Sequence, residues 1–120
     1  MTRRLLPLLA VAALALPPTA FAVLSATRVS GTTGPGFTIT LKKAGTKVTT
    51  LKAGKYTLTV SDRSSAHDFV LTGPGVRNRM VTGLAFKGTN TVSVTLRRGT
   101  YTYYCTPHRQ AGMKGTFRVT

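Results

Sequence analysis

Four short runs of strict apolar–polar alternation constrain this chain more than any other feature. Phe37, Ile39 and Leu41 alternate with Thr38, Thr40 and Lys42. Tyr56, Leu58 and Val60 alternate with Thr57, Thr59 and Ser61. Val92, Val94 and Leu96 alternate with Thr91, Ser93 and Thr95, and Phe117 and Val119 with Thr116, Arg118 and Thr120. Successive side chains of a β-strand point to opposite faces, so a period of two describes strands with one buried and one wet face. The Thr and Val content of these runs agrees. Breakers separate them: Gly31 to Gly36, Ala44-Gly45, Ala53-Gly54, Gly73-Pro74-Gly75, Lys87-Gly88 and Arg98-Gly99. Short strands at this spacing predict an all-β sandwich or barrel. Leu51 to Thr57 and Leu96 to Thr102 share a Leu-x-x-Gly-x-Tyr-Thr pattern and read as two similar hairpins. Val76 to Phe86 is the least regular stretch, read as a loop with a short strand, in which Met80 is a packing residue.

The first 22 residues are of another kind. Arg3 and Arg4 precede an apolar run, Leu5 to Leu16, which Pro17 and Pro18 break before Ala20-Phe21-Ala22. A basic start, an apolar stretch and a small-x-small end are the parts of an export signal peptide. The run falls short of the roughly 20 residues that span a bilayer, which favours cleavage after Ala22 over a retained anchor. The arginine pair weakly resembles a twin-arginine signal. The expected organisation is a signal peptide, 1–22, and one domain, 23–120, exported to the periplasm or the exterior.

Export makes the single cysteine, Cys105, informative. It cannot form an internal disulfide, and a free thiol in an oxidising compartment needs a reason. The reason stands beside it: Cys105-Thr-Pro-His108-Arg-Gln-Ala-Gly-Met113 packs a thiol, an imidazole and a thioether into nine residues. His67 is the only other histidine. Taken singly, His67 reads as a core histidine, His108 as a loop residue, Met113 as packing and Cys105 as a small hydrophobe. Together, two His, one Cys and one Met are the ligand set of a trigonal copper site with a weak axial sulfur. Zinc would use Met poorly.

Alternation also positions these residues. Tyr101, Tyr103 and Cys105 share one strand face, and His67, Phe69 and Leu71 share another, so both ligands are expected to point inward. If the two strands are antiparallel neighbours, His67 at the start of one and Cys105 at the end of the other meet at one pole. Residues 106 to 113 then loop over that pole and return His108 and Met113 to it. Pro107 stiffens the loop. Asp68, next to His67, is placed to accept hydrogen bonds from Thr106 and tie the two segments together.

These residues resemble the cupredoxin family of small blue-copper proteins, in which Cys-x-x-His-x-x-x-x-Met follows a strand rich in Tyr and Phe. Tyr101-Thr-Tyr-Tyr-Cys105-Thr-Pro-His108-Arg-Gln-Ala-Gly-Met113-Lys-Gly is similar throughout, and His67-Asp68-Phe69 stands where the family usually has His-Asn-Phe. The resemblance implies an eight-strand Greek-key β-sandwich holding one type 1 copper with ligands His67, Cys105, His108 and Met113. It also implies electron transfer through the solvent-facing edge of His108. Asp68 in place of Asn adds a negative charge beside the site, which favours Cu(II) and lowers the potential.

Charge bears on partners. Seventeen Lys and Arg face two acids, Asp62 and Asp68; without Arg3 and Arg4 the balance is 15 to 2, a net +13. Such a field steers anionic partners toward the protein. No nucleic-acid-binding motif is present. An acidic redox partner, an anionic cell-wall polymer or a membrane surface fits better, with the chain itself a monomer. The expected function is a mononuclear copper protein that transfers single electrons. A copper storage, delivery or resistance module would use the same ligands without a redox partner. A cysteine–histidine enzyme is disfavoured by the inward aim of Cys105 and by competition from a metal.

Overall fold

A computed structural model describes residue 7, residues 10–21 and residues 25–120. Arg3, Arg4 and the expected cleavage point after Ala22 lie outside the described residues. Residues 10–21 form no helix or strand, and Val11, Leu14, Leu16 and Phe21 are exposed. Among the described residues no helix is long and apolar enough to cross a membrane.

From Thr27 onward the alternating runs become two five-stranded sheets. The first contains β1 (Thr27–Thr33), β2 (Ile39–Lys43), β3 (Thr46–Lys47), β5 (Gly54–Asp62) and β8 (Gly88–Leu96), in the order β3-β2-β1-β5-β8. The second contains β4 (Thr50–Leu51), β6 (Phe69–Gly73), β7 (Val76–Thr82), β9 (Gly99–Tyr104) and β10 (Lys114–Val119), in the order β4-β10-β9-β6-β7. The two beyond the expected eight are β3 and β4, each only two residues long. Most pairs are antiparallel, whereas β1 runs parallel to β5 and β4 parallel to β10. Of the all-β sandwich or barrel read from the alternation, the sandwich is the fold observed.

Between the sheets lie Tyr56, Leu58 and Val60 from β5, Leu96 from β8, and Phe117 and Val119 from β10, all buried as the alternation requires. Aromatic rings fill the middle. Phe69 stacks on Tyr103 at 5.8 Å between centroids, and Tyr101 on Phe117 at 5.4 Å. Such pairs add to the gain from burial alone. Tyr103 needs space that Gly115 leaves open: a Cβ at Gly115 would overlap the tyrosine ring.

Four expectations change. The two Leu-x-x-Gly-x-Tyr stretches are not hairpins, because β4–β5 and β8–β9 each pass from one sheet to the other. Each tyrosine braces its corner by reaching back four residues. The Tyr56 hydroxyl donates to the Lys52 carbonyl at 2.6 Å, and the Arg97 N–H donates to the Tyr101 hydroxyl at 2.9 Å. Residues 76–82 form a full edge strand rather than a loop. Its period is hidden because Asn78 takes φ 43° and the pairing with β6 shifts register twice, leaving Arg77 to Met80 exposed in succession. Met80 is 55% exposed and does not pack in the core. Phe37, read as the first inward residue of its strand, lies before β2 and is 67% exposed.

The topology gathers three connections at one pole. Thr33 at the end of β1 aligns with Asp62 at the end of β5. The chain after Asp62 turns over into β6, whose Val70 pairs with Tyr104 at the end of β9. The segments 34–38, 63–68 and 105–113 therefore meet at that end.

Candidate metal centre

His67 reaches the pole through turns rather than as the first residue of a strand, since β6 begins at Phe69. The Asp62 carboxylate accepts the Ser64 N–H at 3.2 Å, the Ser64 hydroxyl accepts the Ala66 N–H at 3.2 Å, and the Ser64 carbonyl accepts the His67 N–H at 3.2 Å. These short-range bonds are typical of Asp and Ser in turns. Gly34 sits against the His67 ring, where a Cβ would come within 3.0 Å of Cδ2, and its φ of 69° also suits glycine.

Cys105 follows β9 directly and is buried, as are Tyr101 and Tyr103 on the same face. The next residues, Thr106–Ala111, form a short 3-10 helix with Pro107 in its first turn. Gly112 ends it at φ 93°, donating its N–H to the Arg109 carbonyl. The loop closes on its own backbone. Cys105 N–H donates to the Met113 carbonyl at 3.0 Å, Met113 N–H to the His108 carbonyl at 3.2 Å, and His108 N–H to the Cys105 carbonyl at 3.2 Å. Cys105, His108 and Met113 thus form one braced unit, with the Met113 side chain buried.

Three donor atoms converge. The Nδ1 atoms of His67 and His108 are 3.0 Å apart, and the Cys105 Sγ lies 3.7 Å from the first and 3.6 Å from the second. A circle through these atoms has a radius of roughly 2.0 Å, close to the bonds of a small divalent cation such as zinc, about 2.0–2.1 Å to imidazole and about 2.3 Å to thiolate. Two imidazole nitrogens this close need a proton or a cation between their lone pairs. The donor set and spacing therefore fit one metal ion held by His67, Cys105 and His108.

Burial is the main influence on the thiol and pushes the Cys105 pKa above its ordinary value. A backbone hydrogen bond at Asp68 pulls it down, the Asp68 charge raises it again, and a backbone hydrogen bond at His108 lowers it. On balance the protein favours the protonated thiol, and a bound cation is what would favour thiolate.

Asp68 joins the two ligand segments, as the sequence indicates. One of its oxygens accepts the Thr106 N–H at 2.6 Å and the other the Thr106 hydroxyl at 2.7 Å. Its own carbonyl accepts from the Thr33 hydroxyl at 3.2 Å, extending the tie to β1. The carboxylate is buried at 1% exposure.

Phe37 is the residue at this pole whose place the alternation obscured. Its ring meets His108 edge-on at 4.5 Å between centroids and His67 at 6.0 Å. The signal was present in Gly34-Pro35-Gly36: a turn closes over residues 34–38, with Gly34 N–H donating to the Thr38 carbonyl at 2.8 Å. That turn leaves Phe37 in the loop. His108 remains half-buried, with Nδ1 turned inward and part of the ring open to solvent.

The profile of copper-binding proteins of the plastocyanin/azurin family matches residues 37–120. Among solved structures, rusticyanin from Thiobacillus ferrooxidans is similar with 24% identity and a TM-score of 0.54, over 78% of this chain and 76% of that chain. Auracyanin B is similar with 22% identity and a TM-score of 0.51, over 83% of this chain and 93% of that chain. At these identities the likeness is one of fold. Plastocyanin of Dryopteris crassirhizoma is 71% identical over 21 residues, which span 18% of this chain and 21% of that protein.

Proposed function

Because this chain belongs to the plastocyanin/azurin family of copper-binding proteins, for which copper is the cofactor, we propose that it carries single electrons between partners. In this reading His67, Cys105, His108 and Met113 are the ligands of one type 1 copper. The observation that carries it is the triangle of His67 Nδ1, His108 Nδ1 and Cys105 Sγ, with sides of 3.0 to 3.7 Å. Copper, when bound, supplies the one-electron Cu(II)/Cu(I) couple.

The residues do the rest by holding still. Cys105 and His108 belong to a loop closed on its own backbone, and Asp68 clamps that loop to the His67 segment through both oxygens. A ligand set so braced changes little when the charge at its centre changes, which keeps the cost of exchange small. Burial of Cys105, His67 and Met113 keeps water from the inner side. The partly open ring of His108 offers the short path to the surface. Four ligands from the protein leave no position for a substrate, which supports a carrier rather than an enzyme. Residues 1–22 act as the export signal, and residues 23–120 work in the periplasm or outside the cell.

Protein recovered after export should begin at Val23 by intact mass. Loaded with one equivalent of Cu(II), it should show an intense visible thiolate band that a mild reductant bleaches reversibly. Cys105→Ser should remain folded and lack the band. A folded, copper-exposed protein without that band would overturn the type 1 assignment.

A further inference from the structure

A concavity lined by three arginines lies away from the metal centre. Between β7 and β8 is a cleft of about 300 Å³ lined by Gly75, Val76, Arg77, Arg79, Ser93, Val94, Thr95 and Arg97. Arg77, Arg79 and Arg97 are all exposed, and the lining holds no carboxylate. Nor does the rest of the surface carry an acidic side chain, because Asp62 and Asp68, the only two, are 2% and 1% exposed. The guanidinium groups have no carboxylate side chain beside them to neutralise them.

The cleft is built rather than incidental. Fully buried Tyr101 puts its hydroxyl between the two walls, donating to the Pro74 carbonyl and accepting the Arg97 N–H at 2.9 Å. The Arg97 guanidinium lies over Gly75, close to where a Cβ would stand. On the other wall, the αL conformation of Asn78 and its bond from the Tyr104 hydroxyl at 3.1 Å set Arg77 and Arg79 on either side of that residue. The walls are also the end strands of the two sheets, so among the described residues each has one row of backbone N–H and C=O groups without a strand partner.

We infer that this cleft docks an extended acidic segment of a partner protein. Its backbone would pair with an open strand edge, and its carboxylates would meet Arg77, Arg79 and Arg97. Arginine presents a planar fork that matches carboxylate two bonds at a time. An open edge recognises extended polypeptide through main-chain bonds, with side chains adding selectivity. A phosphate or a lipid headgroup would use the arginines and leave the edges unused, which is why the polypeptide is favoured. The inference names the partner class for the proposed carrier; only the partner's redox role rests on that reading.

The test uses the reduced, copper-loaded chain and a soluble peptide of about ten residues alternating Glu and Thr, which as a strand places every Glu on one face. Amide shifts in the wild-type protein should cluster at residues 75–79 and 93–97. The combined Arg77→Gln, Arg79→Gln and Arg97→Gln variant should bind at least about tenfold more weakly. Lys42→Gln, Lys43→Gln and Lys47→Gln remove the same charge elsewhere and should change binding by less than about threefold. Equal losses in the two variants, shifts scattered over the lysine-bearing strands, or binding to phosphatidylglycerol vesicles or inorganic phosphate but not to the peptide would each overturn the inference. The visible thiolate band of the oxidised sample reports the copper reading separately, so failure of one is not mistaken for failure of the other.

Discussion

Asp68 and Phe37 are the two side chains at the metal pole whose roles depend most on what they touch. Asp68 uses both oxygens on Thr106 and sits buried beside His67 and Cys105. A negative charge there stabilises the more positive oxidation state of a bound metal. Asp68→Asn should therefore raise the midpoint potential of the copper-loaded protein, by on the order of tens of millivolts. Voltammetry showing an unchanged or lower midpoint would contradict this account. Phe37 is 67% exposed, whereas Phe69 is fully buried and stacked on Tyr103. Phe69→Ala should cost about 3–5 kcal/mol in denaturant unfolding, while Phe37→Ala should cost less than about 1 kcal/mol. Comparable losses would place Phe37 in the core after all.

Among the elements, β9 links stability to function. Its inward face carries Tyr101 and Tyr103 and leads straight into Cys105. Burial raises the Tyr103 pKa above 10.0, partly offset by a backbone hydrogen bond at Leu41. The folded state thus holds this proton more tightly than the unfolded chain does. The resulting stability is complete below the unfolded value near pH 10 and is lost as pH rises through the higher folded value. Tyr56 is shifted in the same direction, again chiefly by burial. Tyr103→Phe should be less stable at neutral pH and should show a shallower decline between about pH 10 and 12. Parallel stability profiles for the two proteins would refute the assignment.

The whole molecule is electrostatically one-sided. With both acids buried at the metal pole, the surface repulsion of Lys and Arg has no nearby carboxylate side chain to relieve it. Salt screens like charges over about 10 Å at 0.1 M, so raising ionic strength should stabilise this fold. The melting temperature should rise by several degrees between roughly 10 and 300 mM sodium chloride. A flat or falling trend would show that the basic groups lie too far apart to oppose folding. The same screening should weaken acidic partners, so association and stability should respond to salt in opposite directions.

Strand periodicity and donor chemistry are local, and both were legible in the chain. A period of two over residues 56–61 or 91–96 determines which side chains face inward, whatever else the chain does. Cys105, His108 and Met113 are close enough in sequence for one loop to hold them, and Asp68 beside His67 announced the tie to Thr106. Pairing between distant segments was the work of the tertiary structure. Whether Leu51 to Tyr56 turns within a sheet or crosses between sheets depends on the partners each strand finds far along the chain. The two register shifts between β6 and β7 hid a strand from the pattern, because a bulge moves side chains from one face to the other. Phe37 came to His108, and Arg97 to Arg77 and Arg79, only because sheet packing brought together loops and edges that no local period connects.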